Sequence, residues 1–168
     1  LDDVACHPRV VLTDRNGRSF ICPSRLSSMT ARVERVFEIS AAPEEVWAVI
    51  ADPEKRARPI SVVDDFETTG ERTAVWHVSL PIPGLNRTIR VETEDVEIDA
   101  PSYVRFVGRS KTMNVRGEHI LDATDGGTQI TNRFTVDGRL PGVERYFKRK
   151  LDDELANLEA AIREELVG

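Results

Sequence analysis

Apolar and polar residues alternate with a period of two through most of this chain, and a helical period interrupts twice, once early and once at the end. Val33, Arg35, Phe37 and Ile39 alternate with Glu34, Val36 and Glu38, which predicts a strand with one mainly apolar face. Ser40-Ala41-Ala42-Pro43-Glu44-Glu45 then opens a helix. Proline suits the first turn, where its missing N–H costs nothing, and the two glutamates complement the positive end of the helix dipole. Val46, Trp47, Val49 and Ile50 supply its buried side, and Asp52-Pro53-Glu54 starts a second short helix that Pro59 ends.

The period of two then returns. Strands are predicted over Val62 to Thr68, Thr73 to Leu80, Ile89 to Ile98 (irregular near Glu94-Asp95) and Tyr103 to Arg109. Between the second and third of these, Pro81-Ile82-Pro83-Gly84-Leu85 is unusually apolar for a connection. The last hairpin is the most constrained. A two-residue turn at Asp125-Gly126 makes paired positions add to 251, so that Leu121 faces Ile130, His119 faces Asn132, Gly117 faces Phe134 and Val115 faces Val136. The apolar faces of both strands coincide in that register, and a one-residue slip would separate them. A Gly126-Gly127 turn would shift the partners by two and keep the same faces together.

A final helix starts near Pro141 or Gly142, with Val143, Phe147, Leu151, Leu155, Leu158, Ile162 and Leu166 on one continuous stripe. The fold class is therefore α+β: a curved antiparallel sheet wrapped around a long C-terminal helix, with two short helices after the first strand. A sheet gripping a helix in this way leaves a hollow between the two, and an apolar ligand pocket near ~300 Å³ is expected there.

The run Val33-Glu34-Arg35-Val36-Phe37-Glu38-Ile39-Ser40-Ala41-Ala42-Pro43-Glu44-Glu45-Val46-Trp47, followed by Asp52-Pro53-Glu54, is similar to polyketide cyclase/dehydrase-type members of the helix-grip superfamily. That superfamily, SRPBCC or START-like, also includes lipid-transfer domains, pollen-allergen-like proteins and coenzyme Q-binding proteins. The resemblance covers about residues 31–166. It implies the helix-grip fold and a hydrophobic cavity, and leaves the reaction, if there is one, to be read from the site. Arg56, Arg58, Asp64 and Asp65 depart from the apolar pattern of the quinone-binding relatives.

At 168 residues and a net charge of −6, the length fits one domain with a short appendage. Basic residues are interspersed with acidic ones along the chain, which argues against a nucleic-acid partner. No apolar run approaches the ~20 residues of a membrane span, so stable membrane insertion is not expected and a cytoplasmic protein is the default. Residues 1–28 read as an N-terminal extension or the product of a start site placed too early, and residues 29–168 as the main domain. Within the extension, Val10-Val11-Leu12-Thr13 and Ser19-Phe20-Ile21-Cys22 flank Asn16-Gly17, a hairpin signal. Cys6, His7 and Cys22 make a poor tetrahedral set, so neither a metal nor another cofactor is expected.

Two polar residues fall on the apolar face of the last hairpin: His119 and Asn132. They are the candidate catalytic pair, with His119 as acid/base and Asn132 orienting the ring or polarising a carbonyl. The same pattern fits a core histidine whose ring bonds to Asn132 or to a buried water. Candidate ligand contacts are Trp47, Trp76, Val78, Phe106, Met113, Val115, Phe134, Phe147 and Leu151, the two tryptophans equally suited to filling a core, with Ile82 and Leu85 on a loop that either closes the mouth or touches a membrane during ligand pickup, or folds back on the body as an ordinary connection. Three functions follow: binding of a small hydrophobic molecule (lipid, isoprenoid or polyketide-like), cyclase or dehydratase chemistry through His119, or docking of another protein. Oligomeric state has no signature in the chain.

Overall fold

The computed structural model describes residues 11–13, 19–21 and 30–168. Two three-residue strands, β1 (Val11–Thr13) and β2 (Ser19–Ile21), pair antiparallel with Thr13 opposite Ser19. That is one residue off the register of a two-residue Asn16-Gly17 turn, which would set Thr13 opposite Phe20. Cys6, His7, Asn16, Gly17 and Cys22 lie outside the described residues.

The main body is a seven-stranded antiparallel sheet in the order β3-β9-β8-β7-β6-β5-β4. The strands are β3 (Thr30–Ile39), β4 (Val63–Thr68), β5 (Thr73–Val78), β6 (Ile89–Asp99), β7 (Tyr103–Arg109), β8 (Met113–Thr124) and β9 (Gly127–Gly138). Helices α1 (Pro43–Ile50) and α2 (Pro53–Ala57) follow β3, and α3 (Val143–Val167) closes the chain. This is the helix-grip fold. Sheet order follows chain order from β4 to β9, as hairpin connections dictate, and β3 closes the far edge against β9.

Local chemistry explains the elements. Pro43 stands in the first turn of α1, and the Glu45 carboxylate accepts from the Ala42 N–H at 2.8 Å. Asp52 caps α2 by accepting from the N–H groups of Glu54 and Lys55. In the β8–β9 hairpin every pair adds to 251, with Leu121 opposite Ile130 and His119 opposite Asn132, so the turn is Asp125-Gly126. The irregularity expected in β6 is a register shift between Asp95 and Glu97. A second shift, between Val63 and Asp65, bends edge strand β4.

Gly117 is required by packing. A Cβ there would lie 2.1 Å from Phe106 Cε1, so the bare backbone lets the Phe106 ring lie flat on the neighbouring strand. Gly142, just before α3, has φ 98°, a left-handed conformation that other residues adopt at a cost. The inner stripe of α3 (Val143, Phe147, Leu151, Leu155, Leu158 and Ile162) is buried against the sheet. Arg35, on the inward face of β3, reaches α3 and bonds Glu159 at 2.6 Å and Asp152 at 3.4 Å.

Candidate functional site

Between the sheet and α3 the interior is nearly full. The cavity there measures about 30 Å³ and is lined by Ile60, Val62, Val63, Trp76, Val78, Val91, Met113, Val115, Phe134, Val136, Phe147, Leu151 and Glu154. That is room for about one water molecule, an order of magnitude below a ligand pocket. The expectation of a preformed pocket near ~300 Å³ is therefore corrected. A curved sheet around a helix sets the outline of a hollow, but Trp76, Phe134 and Phe147 occupy most of it.

The residues singled out in the sequence divide into groups. Trp76, Val78, Met113, Val115, Phe134, Phe147 and Leu151 line this small cavity. Phe106 is buried beside it, its ring centroid 5.5 Å from those of both Trp76 and Phe134. Trp47 is partly buried against the core and does not line the cavity. Ile82 and Leu85 are also packed partly against the core, and Ile82 Cγ2 comes within 3.1 Å of where a Cβ on Gly142 would stand. The apolar loop thus touches the start of α3.

His119 and Asn132 are both fully buried, and His119 Nδ1 lies 2.8 Å from Asn132 Oδ1. Burial in an apolar surrounding, and after it the nearby Arg56 charge, bring the imidazole down to about 3 against the opposing Asn132 bond. At neutral pH the ring is uncharged and carries one hydrogen. Because an amide oxygen can only accept, that hydrogen sits on Nδ1, and Nε2 keeps a bare lone pair. A ring in this state has no proton to give from Nε2 and is a weak base.

Two partners of this site escaped the sequence reading. Arg56 of α2, 4% exposed, points into the core, and its Nη2 bonds both carboxylate oxygens of Asp95 at 2.8 Å. Its guanidinium lies 5.3 Å from the Phe106 ring centroid. Asp95 continues the inward series Ile89, Val91, Thr93 on β6, so its parity is legible. Arg56 had no such signal, because a five-residue helix reading Pro-Glu-Lys-Arg-Ala looks solvated. Glu154, 3% exposed, accepts from the Ser61 N–H at 2.7 Å and the Ser61 hydroxyl at 2.6 Å. Its spacing between Leu151 and Leu158 puts it on the apolar stripe, a signal the sequence does carry.

Several buried polar atoms around Phe106 have no hydrogen-bond partner: Arg56 Nη1, Trp76 Nε1, His119 Nε2 and Asn132 Nδ2. The Phe106 ring stacks on His119 at 6.1 Å, and His119 meets Phe134 edge-on at 5.7 Å. Three of these atoms are donors and one is an acceptor, set among mainly apolar side chains. Leaving each unpaired costs about 1–3 kcal/mol. On the outer face, Arg105 pairs with Glu97, Arg109 with Glu94 and Arg133 with Glu34, so these three arginines are held by cross-strand charge. Among the described residues no group of three or more His, Cys, Asp or Glu could hold a metal, and no helix is long and apolar enough to cross a membrane.

Comparison with solved structures returns the same architecture at low identity. An aromatase/cyclase of Streptomyces sp. R1128, Zhui, is 18% identical with a TM-score of 0.57, covering 80% of this chain and 94% of that one. A START superfamily protein of Mycobacterium smegmatis is 12% identical with a TM-score of 0.62, covering 80% and 96%. A protein of Thermus thermophilus is 20% identical with a TM-score of 0.59, covering 79% and 96%. These likenesses establish the fold. No curated protein matches. A family model described as "Polyketide cyclase / dehydrase and lipid transport" matches residues 30–163, nearly the whole of the sheet and α3, and the chain belongs to that family.

Proposed function

We propose that the protein binds a hydrophobic molecule carrying one oxygen-bearing polar group, with the apolar body between the sheet and α3 and the polar group at the Phe106 end. The observation that carries this reading is the set of unpaired buried atoms on Arg56, Trp76, His119 and Asn132. A carbonyl or hydroxyl oxygen accepts from the N–H donors, and a hydroxyl hydrogen satisfies the bare His119 Nε2. The Arg56–Asp95 pair holds the guanidinium in place, so one of its nitrogens stays directed away from the carboxylate. Membership of a family that includes lipid transport and cyclase proteins supports the substrate class.

Binding is coupled to opening, because the resting cavity of about 30 Å³ admits no such molecule. The Pro81–Leu85 loop and the start of α3 at Gly142 are the contact that has to part. Ligand recognition is favoured over acid–base catalysis by the neutral, Asn132-bonded His119.

The test is a thermal-shift panel of molecules of matched length: an alkane, a 2-alkanone, a fatty alcohol and a fatty acid. Oxygen-bearing members should raise Tm, by several degrees at a hundredfold excess over Kd, and the alkane should raise it less. Trp76→Phe, which removes the indole N–H and leaves a smaller aromatic ring, should weaken the ketone more than the alkane. Native mass spectrometry should show a retained small molecule. A bare polypeptide mass together with no shift from any member would end this reading.

A further inference from the structure

Along the chain, acidic and basic residues are interspersed, but the antiparallel fold sorts them by end. At one end lie the β5–β6 loop, the β7–β8 turn, the β9–α3 connection and the first turns of α3. They carry Arg87, Lys111, Arg139, Arg145 and Arg149, all exposed and without an ion-pair partner among the described residues. Of the acidic side chains near this end two are ion-paired, whereas Asp64, Asp65 and Asp137 are exposed without an ion-pair partner among the described residues. Glu144 pairs with Lys148, Asp153 with Lys150, and Asp137 accepts from Thr30, while Asp64 and Asp65 sit on edge strand β4. The opposite end, with the other hairpin turns and the start of α1, exposes Glu44, Glu45, Glu71, Asp99, Asp122 and Asp125. In a chain of net charge −6 the unpaired cations thus gather at one end, with Arg72 the exposed cation among the hairpin turns of the other.

The basic end also carries apolar side chains at its tip. Leu140 is 43% exposed, and Pro81 and Pro83 project from the loop that holds Ile82 and Leu85. We infer that this end docks, peripherally and reversibly, on an anionic phospholipid bilayer. The cations lie against headgroups while Leu140 and the Pro81–Pro83 segment enter the interfacial region. Cations ringing a small apolar tip match a bilayer surface, where both terms act together. An acidic protein would use the charge but leave Leu140 without a role. The segment not described, residues 1–29 apart from β1 and β2, carries Arg9, Arg15, Arg18 and Arg25 against Asp2, Asp3 and Asp14, so its own charge does not oppose the attraction.

The test uses the full chain and sedimentation with vesicles of phosphatidylcholine, alone or mixed equally with phosphatidylglycerol, at about 0.05 M and about 0.5 M salt. Binding should require phosphatidylglycerol and vanish at high salt. Reversing Arg145→Glu and Arg149→Glu together should weaken it at least about 25-fold, at roughly fivefold for each cation near the surface. Leu140→Asp should weaken it further, and Asp122→Lys with Asp125→Lys, at the opposite end, should leave this docking in place. Circular dichroism and melting confirm that each variant is folded. Binding to neither vesicle, equal binding to both, or binding untouched by the Arg145/Arg149 reversal would overturn the inference. Retention on immobilised polyglutamate without vesicle binding would overturn it in favour of an acidic protein partner. The vesicle assay needs no cavity ligand, so its failure and that of the pocket reading are separate results.

Discussion

Removing the Asp95 carboxylate should destabilise the protein far more than removing any exposed ion pair, while deleting both members of the pair should not. Arg56 and Asp95 are 4% and 8% exposed, and one guanidinium nitrogen meets both carboxylate oxygens at 2.8 Å. Asp95→Ala strands a guanidinium in the core, one of whose nitrogens is already unpaired, with the Phe106 face as its remaining electrostatic partner. Breaking a buried pair in this way costs about 3–5 kcal/mol, a large part of the ~5–15 kcal/mol available to a domain. The double substitution Arg56→Met with Asp95→Leu removes both charges and keeps most of the volume, so it should lie within about 1–2 kcal/mol of the parent or above it. Urea unfolding followed by far-ultraviolet circular dichroism gives all four corners of the cycle, provided the slope with urea is constant. Lys55→Ala, which breaks a pair 40% and 50% exposed, supplies the surface reference at about 0–1 kcal/mol. If Asp95→Ala costs no more than Lys55→Ala, the charge is not held out of water as described and the reasoning fails.

Gly117→Ala puts a methyl 2.1 Å from Phe106 Cε1 and should cost about 1–3 kcal/mol, visible as a lower Tm; an unchanged melt would mean that the Phe106 ring is free to move. Ser61→Ala removes one of the two donors to the buried Glu154 carboxylate and should cost about 1–3 kcal/mol in urea unfolding, a loss that Ser61→Thr largely avoids if the hydroxyl is what matters. His119 has a folded value near 3, below its ordinary 6.5, so between those limits the unfolded chain binds a proton that the folded one refuses. The His119 share of stability is therefore constant above pH ~6.5 and falls as pH drops toward 3, by up to about tenfold in the unfolding constant per pH unit. His119→Gln should flatten that part of the pH profile, and an unaltered profile would place the ring in contact with water.

The parts of the fold that were legible are those where one-dimensional periodicity and three-dimensional packing carry the same information. The β8–β9 register followed from turn chemistry and the inward apolar set, and the α3 stripe from helical spacing. His119 and Asn132 stood out because they break that inward set, and they do face each other at 2.8 Å. Arg56 was not legible, because its burial depends on where α2 comes to rest against β6, a contact between segments 39 residues apart. The interior volume was not legible either. It is a small difference between the span of the sheet and the summed size of Trp76, Phe134, Phe147 and their neighbours, and periodicity carries no lengths. The segregation of charge by end needed the strand directions, which are invisible in a linear reading of interspersed acids and bases.

Edge strand β4 shapes how this protein tolerates crowding. A strand on a sheet margin offers unpaired backbone donors and acceptors to any passing chain, and long flat ones seed intermolecular β-assembly. Here the margin is only six residues long, carries Asp64, Asp65 and Glu67 toward solvent, and is kinked by the shift between Val63 and Asp65. Two copies approaching along β4 would bring like charges together on backbones that cannot stay in register. Association through this margin is disfavoured for that reason, and replacing Asp64, Asp65 and Glu67 with threonine would make it sticky without touching the native core.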